Sequence, residues 1–371
     1  IKQVSLEGLD LSILRDESGD FHVNQVFLLP KSKIEATGKK NKYSDVHLQL
    51  LDANIHWLDK LTNTDYLFER IDIALEPKSR GYDVFLSGDL PAILGKSVRA
   101  NVSIEGDIKN IADADIEFYI KVEQFRMAEV AKRFVGESGG KVLVVIDSEL
   151  WGQVSNNTLS GLRGTLSADN IVSNPGKAGS EFCLSDEYFQ QLSMQFDWQN
   201  IEKNWQFISD NVEVVTSKGH WPVTQLQFKL QRQSLNEKSI FAHIGAMNLG
   251  AICNTLYSYS PHIVRFEDKL QQYRVNANVK DLFMRFDLKE AHQTSFQYSG
   301  QFDDVAVWMA QGNRSLTGLS AFVEGGDAGG KAQLDSKNIE LGLPVTFPGF
   351  EFKFSANGDL KWVHHGDVHE F

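Results

Sequence analysis

Several common signatures of function are missing from this chain of 371 residues. It has two cysteines, Cys183 and Cys253, which are too few for a disulfide framework and not spaced as a metal pair, though one bridge is open to them. No stretch reaches the roughly 18 consecutive apolar residues of a transmembrane helix. Basic residues come singly, and Lys31, Lys33, Lys39, Lys40 and Lys42 surround Gly38 as a solvated loop does. With 37 basic against 49 acidic side chains the formal charge is −12. A nucleic-acid partner is therefore not expected, since phosphate backbones are bound by clustered Lys and Arg. Polybasic attachment to a membrane surface fails for the same reason. The chain opens Ile1-Lys2-Gln3 with no charged-then-apolar leader, so it reads as an excised or processed piece of something longer.

Catalytic motifs are equally scarce. There is no Gly-x-Ser-x-Gly elbow, no His-Glu-x-x-His and no dinucleotide glycine fingerprint. Gly325 to Ala332 comes within one residue of a phosphate-binding loop, but Ala332 replaces the magnesium-binding hydroxyl and a strand-like segment follows, so a hairpin turn is expected. His364, His365 and His369 read as an exposed tail, and Asp113, Asp115, Asp303 and Asp304 as outward-facing turn residues. The sequons at Asn101, Asn156 and Asn313 matter only in a eukaryotic secretory setting. Neither cofactor nor metal nor catalysis is expected.

What the chain does have is period two. Val98, Ala100, Val102 and Ile104 alternate with Arg99, Asn101, Ser103 and Glu105, and Ile116, Phe118, Ile120 and Val122 alternate with Glu117, Tyr119, Lys121 and Glu123. Val142, Val144 and Ile146 continue the theme, and it recurs at Val46 to Leu50, Val84 to Leu86, Leu226 to Leu230, Val275 to Val279 and Phe350 to Phe354. One-sided strands of this kind belong to antiparallel sheets, whereas buried parallel strands read as continuous apolar runs. Turn formers such as Gly81, Asn156-Asn157 and Asn357-Gly358 fall between them at hairpin spacing. Helix signals are few: Arg126 to Phe134, Leu249 to Tyr259, and a start at Ser185 with acidic residues in its first turn. The recurring strand, glycine, turn and strand predict an elongated antiparallel sheet that grows hairpin by hairpin. Its weak division lies at Ser173 to Gly179, giving segments 1–172 and 173–371.

The run Asp83-Val84-Phe85-Leu86-Ser87-Gly88-Asp89-Leu90-Pro91, then Leu94-Gly95, the strand from Val98 to Gly106, and Phe118-Tyr119-Ile120 leading to Met127 resemble the middle region of the YhdP-like, AsmA-related bacterial envelope proteins. Phe302 to Trp308, Leu316-Thr317-Gly318-Leu319-Ser320, Gly329 to Ser336, Leu343-Pro344 and Gly358 to Trp362 resemble a later segment of the same family, in the same order. The resemblance implies a curved, taco-like β groove in a periplasm-facing protein, held to the inner membrane by an N-terminal helix not contained in this sequence. It also implies a role in moving phospholipid toward the outer membrane, with possible envelope protein partners and no catalytic residues.

The apolar stripes then admit two readings: an ordinary sandwich core, or the lining of a groove for acyl chains. In the second reading the lining is Val98, Val102, Ile104, Ile116, Phe118, Ile120, Val142, Val144 and Ile146. A ligand-free scaffold or interaction module of the envelope is the alternative. A polysaccharide hydrolase would draw only on scattered carboxylates and on Trp205 and Trp221.

Overall fold

The computed structural model describes residues 3–23, 26–27, 46–106, 113–128, 143–171, 187–232, 234, 237–259, 273–288, 294–309, 314–343, 351–365 and 368–370. They divide into two units, residues 1–129 with 145–164 and residues 130–144 with 165–371. Both are built of strands, as the alternation predicts.

In the first unit β1 (Gln3–Glu7) and β2 (Asp10–Arg15) lie one after the other along β5 (His47–Asp59), both parallel to it. The short β3 (Phe21–Val23) and β4 (Val26–Phe27) extend β2 antiparallel. From β5 the sheet runs antiparallel in chain order through β6 (Thr64–Lys78), β7 (Gly81–Asp89), β8 (Ser97–Glu105), β9 (Asp115–Arg126) and β10 (Val145–Ser155). Asn156 and Asn157, both at positive φ, turn the chain into β11 (Thr158–Asp169), the geometry a two-residue type I′ hairpin demands.

The second unit carries β12 (Phe189–Ile201), β13 (Asn204–Thr216), the two-residue β14 (Gly219–His220), β15 (Thr224–Arg232), β16 (Lys238–Asn248) and β17 (Tyr273–Leu288). It continues with β18 (Thr294–Met309), β19 (Arg314–Gly326), β20 (Gly329–Gly342), β21 (Glu351–His365) and β22 (Val368–Glu370). Every described pair among these is antiparallel, and the order follows the chain. The near-phosphate loop is a hairpin, with Gly326 opposite Gly329. The histidine tail is instead a strand pair, His364 opposite His369.

Of the three expected helices, the one from Arg126 to Phe134 is described only at Ala128, which is helical, and a second is α1 (Leu249–Tyr259). Its N-cap is Asn248, whose Oδ1 accepts the Ala251 N–H at 2.8 Å while its Nδ2 donates to Asn278 at 2.9 Å. Cys253, on α1, is disulfide-bonded. The helix expected after Ser185 does not form: Glu187 and Tyr188 run irregularly into β12, where Leu192, Met194, Phe196 and Trp198 repeat at period two and the strand preference wins. Most of the segment from Arg126 to Phe134, the lysine loop, Val142 and the loop Ser173 to Gly179 lie outside the described residues.

Long strands keep one apolar face only if the alternation never slips, and here it slips repeatedly. In β9 the apolar positions are 116, 118, 120 and 122 and then 125; in β17 they are 275, 277 and 279 and then 282, 284 and 286. At each slip the ladder shows a β-bulge, with an extra residue at positive φ: Gln124 in β9, Asp281 in β17, and likewise Asp52 in β5, Arg70 in β6 and Asp304 in β18. Without the bulge, every residue beyond it would face the wrong side. A non-glycine residue in this region costs about 1–2 kcal/mol. That is less than the cost of turning three or four apolar side chains to the polar face, at about 1.5–3 kcal/mol for each one fully exposed. Two bulges are latched from the neighbouring strand, the Asp52 N–H donating to Asp72 Oδ1 at 2.9 Å and the Gln124 N–H to Asp147 Oδ1 at 2.8 Å.

Chemical denaturation of the purified chain checks this. Gln124→Gly is expected to stabilise, since relief of the left-handed backbone (about 1–2 kcal/mol) exceeds the entropy glycine adds to the unfolded chain (about 0.5–1 kcal/mol). Asp147→Ala is expected to cost about 1 kcal/mol, and Asn248→Ala about 1 kcal/mol through the lost helix cap.

Candidate functional site

The register aligns the apolar positions of successive strands into bands that cross the strands. In the first unit Val4, Leu48, Leu75, Val84, Val102, Phe118 and Gly152 are consecutive partners from β1 to β10. Beside them run Leu6, Leu50, Ile73, Leu86, Ala100, Ile120 and Leu150. No charged residue interrupts either band. Their side chains are mostly half-buried. Every strand described in this unit belongs to the one sheet, and Ala128, just after β9, is helical.

Glycines hold aromatic rings against this face. Phe118 lies over its cross-strand partner Gly152, so closely that a Cβ there would enter the ring. In the second unit Tyr298 lies over Gly325, and Trp362 over Gly330. The glycine-rich hairpin that imitates a phosphate loop therefore has a packing reason: a side chain at either position would lift a ring off the sheet.

At the β2–β5 end the band closes on charge. Arg15 and Asp59 follow Ile13 and Trp57 on the same side and pair at 3.3 Å. Burial works to raise the Asp59 carboxyl, but hydrogen bonds from Thr62 and Leu61 and the charge of Arg15 outweigh it and hold it below the usual range. The opposite face of the sheet is polar: Glu123 accepts from Lys96 and Ser97, and Tyr119 donates to Glu149 at 2.6 Å, a bond that raises the phenol.

Of the nine residues expected to line a groove, Val98, Val102 and Ile104 on β8, Ile116, Phe118 and Ile120 on β9, and Ile146 on β10 share the apolar face. Val144 stands just before β10, off the strand, and Val142 lies outside the described residues. A second set extends beyond the stripe from Leu226 to Leu230 that the alternation showed. In the second unit Phe207, Phe228, Ala242, Met284 and Tyr298 are consecutive partners from β13 to β18, and Leu230, Ile240, Phe286 and Phe296 run beside them from β15. Here Leu282, Met284, Phe286, Phe296 and Tyr298 border a cavity of about 360 Å³, and burial raises the Tyr298 phenol. The signal was hidden at the slip after Val279, where the alternation changes parity. Elsewhere on this face α1 packs: Leu249 joins Ile244, Met247, Phe302 and Val305 around the buried Ala277, Val279 and Leu282.

Among the described residues no helix is long and apolar enough to cross a membrane. No curated protein and no solved structure matches the chain. One family model does, described as YhdP protein, and it covers residues 1–370. Continuous one-sided sheets and a match over nearly the whole sequence lead to one assignment: the chain belongs to the YhdP protein family.

Proposed function

We propose that this chain is a segment of a lipid-transfer conduit of the bacterial envelope, in which phospholipid acyl chains lie against the apolar sheet faces. The observation that carries the reading is the apolar band from Val4 to Gly152, mostly half-buried and continuous across seven strands with no charge within it. An exposed apolar surface of that extent marks a binding face. Each acyl methylene laid on it contributes about 0.8 kcal/mol when fully buried, so roughly ten methylenes half-covered contribute about 4 kcal/mol, enough to hold a chain without a polar anchor. Uniform lining by Val, Ile, Leu and Phe also suits sliding, because successive positions along the band offer nearly equal contact. In this reading the protein carries out no catalysis. It faces the periplasm between inner and outer membrane and is tethered to the inner membrane by a segment beyond this sequence.

Photo-cross-linking tests it. A benzophenone amino acid placed at Val102 or Phe118 in the protein expressed in bacterial envelopes is expected to capture phospholipid, and the same probe at Asn101 or Tyr119, on the opposite face, is not. Val102→Asp or Phe118→Asp is expected to remove most co-purifying phospholipid from a chain whose circular dichroism is unchanged. Equal capture from both faces, or lipid retained by the charged variants, would overturn the proposal.

A further inference from the structure

The polar face of the second unit is not uniform. Between β13 and β21 it forms a concavity of about 1020 Å³, on the side of the sheet opposite the apolar band. Its floor is two neighbouring rows of the ladder. Gln206, Lys229, Phe241, Arg285 and Gln297 are successive partners in one. Gln227, His243, Phe283, Ser299, Glu324 and Lys331 are successive partners in the other, which Lys361 ends. That second row crosses seven strands, or six spacings of about 4.8 Å, and is therefore about 29 Å long.

The lining has a specific chemistry. Phe283 is 51% exposed, although it is a large apolar side chain on a polar face. It is propped from behind by His243, whose ring stacks on it at 4.1 Å and 9°. Arg285 lies over Phe241 at 5.2 Å and is held by Asp287, which Ser239 also binds. The aromatic platform is thus fixed before any ligand arrives. Amides and hydroxyls flank it, from Gln227, Gln297 and Ser299. Glu324 is neutralised by Lys331 at 2.8 Å. Lys229 and Lys361 stand at the two ends, and among the described residues neither has an ion-pair partner. Asp327 also lines the groove, its carboxylate accepting the Phe296 N–H at 2.9 Å, and Lys229, Arg285, Lys331 and Lys361 against Glu324 and Asp327 still leave the lining positive in a chain of net charge −12.

We infer that the groove binds an acidic glycan chain laid across the strands. A ring face open to solvent suits the C–H face of a sugar, the amides and hydroxyls suit neighbouring hydroxyl groups, and the terminal lysines suit carboxylates spaced along a polymer. An extended peptide is a poorer fit. The main-chain groups of these strands are engaged in the ladder, and strand addition requires a free edge rather than a face. The site is independent of the lipid-binding reading, because its side chains point away from the apolar band.

Retention of the full chain on three supports tests the inference: peptidoglycan sacculi, polygalacturonate and neutral dextran. Retention is expected on at least one acidic glycan and not on dextran, and which acidic support retains it identifies the source of the ligand. Phe283→Ala is expected to weaken retention at least fivefold and Lys229→Glu with Lys361→Glu at least tenfold, while Phe283→Trp keeps it. Phospholipid cross-linking from position 102 is expected to be unchanged in all of them, so failure here is distinguishable from failure of the lipid reading. Retention on no acidic support, equal retention on dextran, or variants that bind like the parent would overturn it.

Discussion

Keeping the apolar stripe of each long strand on one side of its sheet is the constraint on which the rest of the molecule depends. A slip of one residue would carry the rest of a stripe to the polar face. The bulges at Asp52, Arg70, Gln124, Asp281 and Asp304 absorb each extra residue locally, and the carboxylates of Asp72 and Asp147 satisfy two of the amides that the ladder leaves free. Left-handed backbone at non-glycine residues is the local cost of a global alignment.

Because the bands run across the strands, their length is set by strand number rather than strand length. A compact two-layer domain buries its apolar stripes against each other and then has none left to offer. A sheet that adds hairpins in chain order extends both of its faces with each addition, so one fold supplies two different long surfaces. The apolar face of the second unit carries Phe228, Phe286 and Phe296. The polar face, at the same strands, carries Lys229, Phe283 and Arg285. Neighbouring positions in the sequence thus serve opposite chemistries, and a single-residue change of register would exchange them.

Much of this was legible from residue order alone. Strict alternation at Val98 to Ile104 and at Ile116 to Val122 predicted β8, β9 and their shared face, because a period of two has only one regular realisation. Asn156-Asn157 announced its turn, and Ala332 argued against a phosphate loop. Four things were less accessible. The parallel placement of β1 and β2 on β5 leaves no local trace, since short edge strands alternate whichever way they run. The segment after Ser185 has the composition of a helix start, yet the period-two run from Leu192 decides for β12. The apolar set from Leu282 to Phe286 was obscured by its own bulge, which breaks the alternation in sequence in order to preserve it in space. Glycine was the subtlest case: Gly325 and Gly330 read as turn formers, and only the register shows them beneath Tyr298 and Trp362.

The helix α1 shows what the apolar face requires. Where it lies, Ala277 and Val279 are 1% exposed and Leu282 is 7% exposed; farther along the same strand Phe286 and Leu288 are 40% and 36% exposed. The side chains are of one kind, so the difference is the presence of a cover. Polar bonds also bring α1 there: its Asn248 cap and the Gly250 N–H tie it to Asn278 and Asn276 on β17, while Asn254 and Thr255 bind Glu187 and Phe189 at the start of β12. The part of the band that α1 does not reach is where a mobile apolar ligand has the most to gain, because there the hydrophobic contribution of the sheet is still unrealised.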